Sequence, residues 1–281
     1  MQFINKAALI ALATTVSLAP AIAPAQVSQD KYPKVTNRDL YSVVYNWAWY
    51  MGMRRGYDRG LDEVDAIMTL EHQASGVLQV AGKPCTISAY RTSINYFRDG
   101  ARIQYVCKTP DGQTHTAIEV ISGKYAWDED IMGAEIIPGE GKATPRPALY
   151  AERAIRLWAS PQGAPKAAAA AGAKASVAWT NNLPVVTYPI PGVPDAIATA
   201  SLDKDFLARK VVVRQGRTVT EFTYSDYKDW NNPLNLIDAV YAGKMTEKKN
   251  GVVVRDLTTT VTETGNLYVI MPVPKSISGG A

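Results

Sequence analysis

The sequence predicts an α+β fold organised on an antiparallel sheet. Runs of β-branched and aromatic residues recur at short spacing, and each ends in Gly, Pro, Asn or Asp. Helical patterns are segregated from these runs instead of alternating with them, which argues against a parallel sheet. Residues 195–263 read as a meander, and Asn250-Gly251 inside it is the strongest short hairpin signal because a type I′ turn needs positive φ twice.

The elements follow in chain order. Lys6 and the apolar run 7–18 precede Ala23-Pro24-Ala25, the pattern of a cleavable signal peptide, and the run is too short to span a bilayer. Residues 1–25 are therefore expected to be removed, leaving 26–281 as a single domain. Leu40, Val43, Val44, Trp47 and Met51 recur at the spacing of one helix face over residues 37–55, with Thr36 or Asn37 as cap and Gly56 as stop. This helix is expected to pack on the sheet or to line a ligand cavity. A short helical turn is expected over 61–68. Strands are expected at 70–80, 86–97, 102–108 and 115–122, with a short one at 124–127 and a loop from 129 to 147. Gly82-Lys83-Pro84, Arg98-Asp99-Gly100 and Pro110-Asp111-Gly112 separate the strands as turns.

Two helices are expected in the middle. The first covers 148–158, with Leu149, Ala154, Ile155 and Trp158 along one side. Ser160-Pro161 starts the second, which runs through Ala167–Ala171 to Gly172. Strands at 176–180 and 184–190 lead into the meander, whose members are 196–202, 206–214, 217–226, 244–249 and 252–262. An apolar loop at 231–241 interrupts it, and a last strand is expected at 267–273. If Gln215-Gly216 is a two-residue loop, Lys210 faces Glu221, and Leu207, Val211, Val213, Phe222 and Tyr224 share one apolar face.

Composition narrows the function classes. The net charge of +4 falls by one with Lys6, and no basic stripe interleaved with aromatics is present, so a nucleic-acid partner is not expected. Cys85 and Cys107 are the two cysteines, and an even count in an exported chain favours a disulfide over two buried thiols. A tight turn at 98–101 would place Cys107 opposite Thr92, so the bridge needs the 82–84 segment to fold back. There is no Gly-x-Ser-x-Gly elbow and no His-Glu-x-x-His. His115 and Glu119 share a strand face at a spacing loose for a metal, and no metal or cofactor is expected. Asp128-Glu129-Asp130 and Asp226 are the carboxylates a secreted hydrolase could use.

The segment Thr223-Tyr224-Ser225-Asp226-Tyr227-Lys228-Asp229-Trp230 is the densest polar–aromatic cluster. It is followed by Gly251-Val252-Val253-Val254-Arg255-Asp256-Leu257-Thr258 and by Tyr268-Val269-Ile270-Met271-Pro272-Val273-Pro274. This order resembles exported bacterial proteins of the outer-membrane lipoprotein-sorting kind, the LolA-like superfamily. A similar stretch accompanies some secreted metallo-β-lactamase-fold hydrolases, whose zinc ligands are not found in this sequence. The likeness covers the C-terminal third, and earlier residues match in element order only. It implies an open half-barrel, a strongly curved antiparallel sheet with helices on or over its concave side. It also implies a periplasmic carrier of acyl chains or other apolar ligands. No residue-level functional motif of the family is matched.

The expected function is thus a periplasmic binding module or carrier for an apolar or amphipathic, lipid-like ligand. Leu207, Val211, Val213, Phe222 and Tyr224, with Trp47 and Met51 on the covering helix, are the expected contacts. The alternatives are a secreted hydrolase using Asp128, Glu129 and Asp226, and an accessory protein docking on an exported partner through a sheet edge or the 227–241 region.

Overall fold

A computed structural model describes residues 37–53, 69–230, 240–264, 266 and 268–279. The expected signal peptide, the helical turn at 61–68 and most of the apolar loop at 231–241 lie outside these residues.

Two antiparallel meanders form one sheet of thirteen strands among the described residues. The first meander is β1 (Thr69–Val80), β2 (Lys83–Asn95), β3 (Gly100–Lys108), β4 (Thr114–Ser122), β5 (Tyr125–Glu129) and β6 (Ala143–Pro145). The second is β7 (Ser176–Thr180), β8 (Leu183–Pro189), β9 (Ala196–Leu202), β10 (Ala208–Gln215) and β11 (Thr218–Ser225). After a small pair, β12 (Lys228–Asp229) with β13 (Val240–Tyr241), the strands β14 (Lys244–Lys249) and β15 (Val252–Thr264) complete the second block. The blocks join where β1 pairs with β15, and β6 and β7 are left as edges, so the sheet does not close on itself. Gly76 sits at that seam with φ +135°, and a Cβ there would lie 2.0 Å from the Asp256 carbonyl oxygen, so only glycine permits the approach.

The sheet is strongly bent. Arg255 on β15 and Glu119 on β4 are four strands apart, about 19 Å in a flat sheet at 4.8 Å per strand. Their side chains nevertheless meet, Arg255 Nη2 donating to Glu119 Oε2 at 3.3 Å. The concave face is filled by α1 (Leu40–Tyr50), α2 (Tyr150–Trp158) and α3 (Gly163–Ala171). Asp39 caps α1, its carboxylate accepting from the Ser42 N–H at 2.8 Å. The second central helix begins later than Pro161: Ser160 Oγ accepts from the Gly163 N–H at 3.2 Å. Alanines 164, 167 and 168 are fully buried, so small side chains let α3 sit close to β8 and α1.

Other expectations need revision. The Gln215-Gly216 turn is displaced by one residue: Gln215 still pairs with Thr218, and Lys210 faces Thr223. The two-residue change in register preserves side-chain parity, so the apolar face survives, and Lys210 reaches Glu221 diagonally at 2.5 Å. A bulge between Ala208 and Lys210 puts Ala208 on the inner face and leaves Leu207 ahead of the strand, half-buried against the core. Strand β2 ends at Asn95, because its side chain caps a 3-10 turn over Tyr96–Arg98. That longer connection sets Cys107 opposite Ile87 and not Thr92. Cys85 and Cys107 are then bridged, with Cα atoms 5.4 Å apart. Residues 268–274 do not form a strand: the segment is anchored by Asn95 Nδ2 donating to the Val269 carbonyl, and Pro272 and Pro274 cannot donate to a ladder. Val269 and Met271 bury against Val120 and Trp127 on the convex face, followed by α4 (Lys275–Ser278).

Candidate functional site

Apart from Leu207, which lies half-buried ahead of β10, the expected binding residues separate into two groups. Trp47, Met51, Val211 and Val213 are buried in the core between the helices and the sheet. Phe222 and Tyr224 instead line a cavity of about 80 Å³ under the Leu157–Pro161 corner. Period-two alternation places them there: Phe222 pairs with Glu247 and Val211, Tyr224 with Met245, and all face the helices. Tyr224 is fixed by donating to the Ala159 carbonyl at 2.7 Å, and burial raises its pKa well above the usual tyrosine value.

The cavity lies between the two meanders. Ile94, Ala101, Ile103 and Ile121 from β2–β4 form one wall, with Leu157 from α2 above. Phe222, Tyr224, Tyr241, Met245 and Leu257 form the other. A wider trough of about 590 Å³ lies along β1–β4. It includes Gln73, Ser75, Arg91, Gln104 and Thr116, whose side chains alternate away from the helices and make a polar surface.

At one side of the cavity a charge network ties helix to sheet. Arg156 on α2 donates through Nε to both carboxylate oxygens of Glu247, at 3.1 and 3.0 Å. Its Nη2 reaches Glu152 at 2.6 Å, and Glu119 lies 3.8 Å from Nη1. Arg255 adds contacts to Glu119 at 3.3 Å and Glu247 at 3.4 Å, and donates to the Tyr90 hydroxyl at 3.3 Å. Lys249 closes the network on Glu152 at 2.7 Å. Burial opposes ionisation of Glu152, but Arg156 and Lys249 outweigh it and bring its pKa to about 2.

Next to Tyr90, which Arg255 contacts, sits a row of polar side chains without partners among the described residues. Thr92, His72 and Thr262 lie side by side across β2, β1 and β15, all on the inner face. Each is only 4% exposed. Both ring nitrogens of His72 and both threonine hydroxyls lack a hydrogen-bond partner among the described residues. His72 and Thr92 line the cavity, with the His72 ring 5.0 Å from that of Tyr241. Burial, with the nearby Arg255 charge, lowers the His72 pKa to about 3, so the ring is neutral at pH 7. The alternation Leu70, His72, Ala74 was the available signal for an inward histidine.

The carboxylates considered for hydrolysis are engaged elsewhere. Asp128 is held by Arg153 and Arg146. Glu129 points to the opposite face, where Arg102, Trp127 Nε1 and the Gly133 N–H all donate to it. Asp130 Oδ1 accepts from the N–H groups of Ile131 and Lys142, and Asp226 pairs with Lys244 at 3.3 Å. Glu119 belongs to the charge network, and His115 faces Cys107 at the far end of β4. The aromatic tips after β11 find backbone partners, Tyr227 on the Ala208 carbonyl and Trp230 on the Tyr241 carbonyl.

No family model and no curated protein matches the chain. Among solved structures, it is similar to a domain described as an outer membrane lipoprotein-sorting protein domain from Vibrio parahaemolyticus, with a TM-score of 0.45 and 11% identity, over 79% of this chain and 92% of that one. It is also similar to a LolA superfamily protein from Nitrosomonas europaea, with a TM-score of 0.44 and 9% identity, over 82% of this chain and 94% of that one.

Proposed function

We propose that the protein is a periplasmic binding module or carrier whose interior takes an apolar or amphipathic, lipid-like ligand. The observation that carries this reading is the cavity between α2 and the concave face, walled mainly by aliphatic and aromatic side chains. Its volume is small beside the ~300–1,000 Å³ of a drug-sized ligand site. A long chain therefore enters as α2 and α3 move off the sheet, exposing the deeper face of Val211, Val213, Trp47 and Met51. The unpaired edges β6 and β7 leave the barrel free to widen without breaking a ladder. Each buried methylene contributes about 0.8 kcal/mol. Export is supported by the N-terminal apolar run ending in Ala23-Pro24-Ala25 and by the Cys85–Cys107 bridge, which fits an oxidising compartment.

Organic extraction of the purified protein followed by mass spectrometry tests the reading. A lipid recovered near one equivalent is the expected result. Recovery of none, together with no binding of a fluorescent fatty-acid analogue, overturns it.

A second reading, docking on an exported protein, is favoured by one feature. The loop between β5 and β6 exposes Ile131, Met132, Ile136 and Ile137 together. A periplasmic pull-down that loses its captured protein on Ile136→Ser and Ile137→Ser substitution supports it; unchanged capture rejects it.

A further inference from the structure

We propose that the cavity selects ligands carrying an uncharged polar group, a hydroxyl or an ester-type carbonyl, which His72 and Thr92 hold by hydrogen bonds. This inference rests on the binding function proposed above and specifies the ligand class.

A buried polar group without a partner costs about 1–3 kcal/mol, so native structures rarely leave one. Here two such side chains line the same cavity, both 4% exposed. The charged groups around it, and the hydroxyls of Tyr90 and Tyr224, are engaged. Arg156 and Arg255 are held by Glu119 and Glu247. The hydroxyls of Tyr90 and Tyr224 are bonded to Arg255 and to the Ala159 carbonyl. Among the described residues that line the cavity, His72 and Thr92 are the side chains whose polar atoms are fully buried without a partner.

Their chemistry sets the class. A neutral imidazole offers one donor and one acceptor, and a threonine hydroxyl offers both. Together they match a hydroxyl, which also donates and accepts, or a carbonyl, which takes both donors. They do not match a carboxylate or an ammonium. An ionised group at that depth needs a counter-charge, and the two arginines already face two glutamates. Protonation of His72 to supply one is opposed by burial and by Arg255, which hold its pKa to about 3. Water has the same donor–acceptor character. The cavity of about 80 Å³ exceeds the roughly 10–15 Å³ that one water needs, so a ligand group competes with water for His72 and Thr92.

The test compares three ligands of one chain length, 1-octanol, octanoate and 1-chlorooctane, by titration calorimetry at pH 7.5 with the full mature protein. The expected result is octanol binding at least tenfold more tightly than either of the others. His72→Phe and Thr92→Val are expected to reduce that advantage fivefold or more, read as the ratio of octanol to 1-chlorooctane affinity within each variant. Equal binding of all three, or tighter binding of octanoate, overturns this proposal and leaves the binding function standing. Absence of binding by all three overturns both. Should the variants fail to fold, the His72 ring 15N shifts of the wild-type protein decide. A change with octanol and none with 1-chlorooctane supports the contact, and no change with either overturns it.

Discussion

Arg156 and Glu247 form the fastening between the helix layer and the sheet: a single guanidinium Nε meets both carboxylate oxygens, at 3.1 and 3.0 Å, across 91 residues of sequence. The same guanidinium lies against Glu152 and Glu119, so one side chain neutralises acids from α2, β4 and β14. Arg156→Met keeps the aliphatic stem and removes the charge. Breaking a buried pair of this kind costs about 3–5 kcal/mol because the partner is left unpaired. The urea midpoint is expected to fall accordingly, whereas Lys210→Met, which removes a half-exposed pair with Glu221, shifts it by less than about 1 kcal/mol.

Core and cavity residues are expected to respond differently. Trp47 has no exposed surface and packs among the helices and sheet, so Trp47→Ala should cost about 3–5 kcal/mol in chemical denaturation. Val211→Ala should behave in the same way on a smaller scale. Phe222→Leu, at the cavity wall, is expected to alter ligand binding with a stability cost below about 1.5 kcal/mol.

These residues also mark what the sequence made legible. The shared face of Val211, Val213, Phe222 and Tyr224 follows from strand alternation, and it survived a two-residue error in register because parity did not change. Asn250-Gly251 forms the hairpin turn that its sequence predicts, since Lys249 pairs with Val252 across it. The division of that face into packed core and cavity wall was not legible. It depends on where α2 and α3 land, and that is set by contacts such as Tyr188 to the Trp158 carbonyl and Arg156 to Glu247, distant in sequence. The end of β2 departs from the sequence pattern because Tyr96 and Phe97 favour a strand, while Asn95 acts as a cap.

The disulfide has a calculable effect. Cys85 and Cys107 are 22 residues apart. Closing a loop of that length in the unfolded chain stabilises by about 3 kcal/mol in the chain-entropy treatment. Reduction, or paired substitution by serine, is expected to lower the unfolding free energy by up to that amount. The effect is measurable by parallel urea titrations with and without reductant.

Acidification should destabilise the protein, beginning with His72. Its folded pKa of about 3 lies below the ordinary value of 6.5, so the unfolded chain takes up the proton first. Stability is fully present above pH 6.5 and falls below it by up to about 1.4 kcal/mol per pH unit, levelling near pH 3. Glu152 adds a second loss at lower pH. Its carboxylate is held at about 2, below the ordinary 4.5, so its contribution disappears as the pH falls through that interval. His72→Gln should remove the His72 slope from pH 6.5 down to about 3 and leave the loss due to Glu152 in place.

The central claim is that the space beneath Leu157 receives a ligand, and filling it is the most direct test. Ala101 lies on the cavity wall, so Ala101→Leu occupies the space with the protein's own carbon. Titration of an environment-sensitive apolar fluorophore should show saturable one-site binding to the wild-type protein and at least tenfold weaker binding to a folded Ala101→Leu variant. Equal affinity of the two, or no saturable binding to the wild type, would contradict the account.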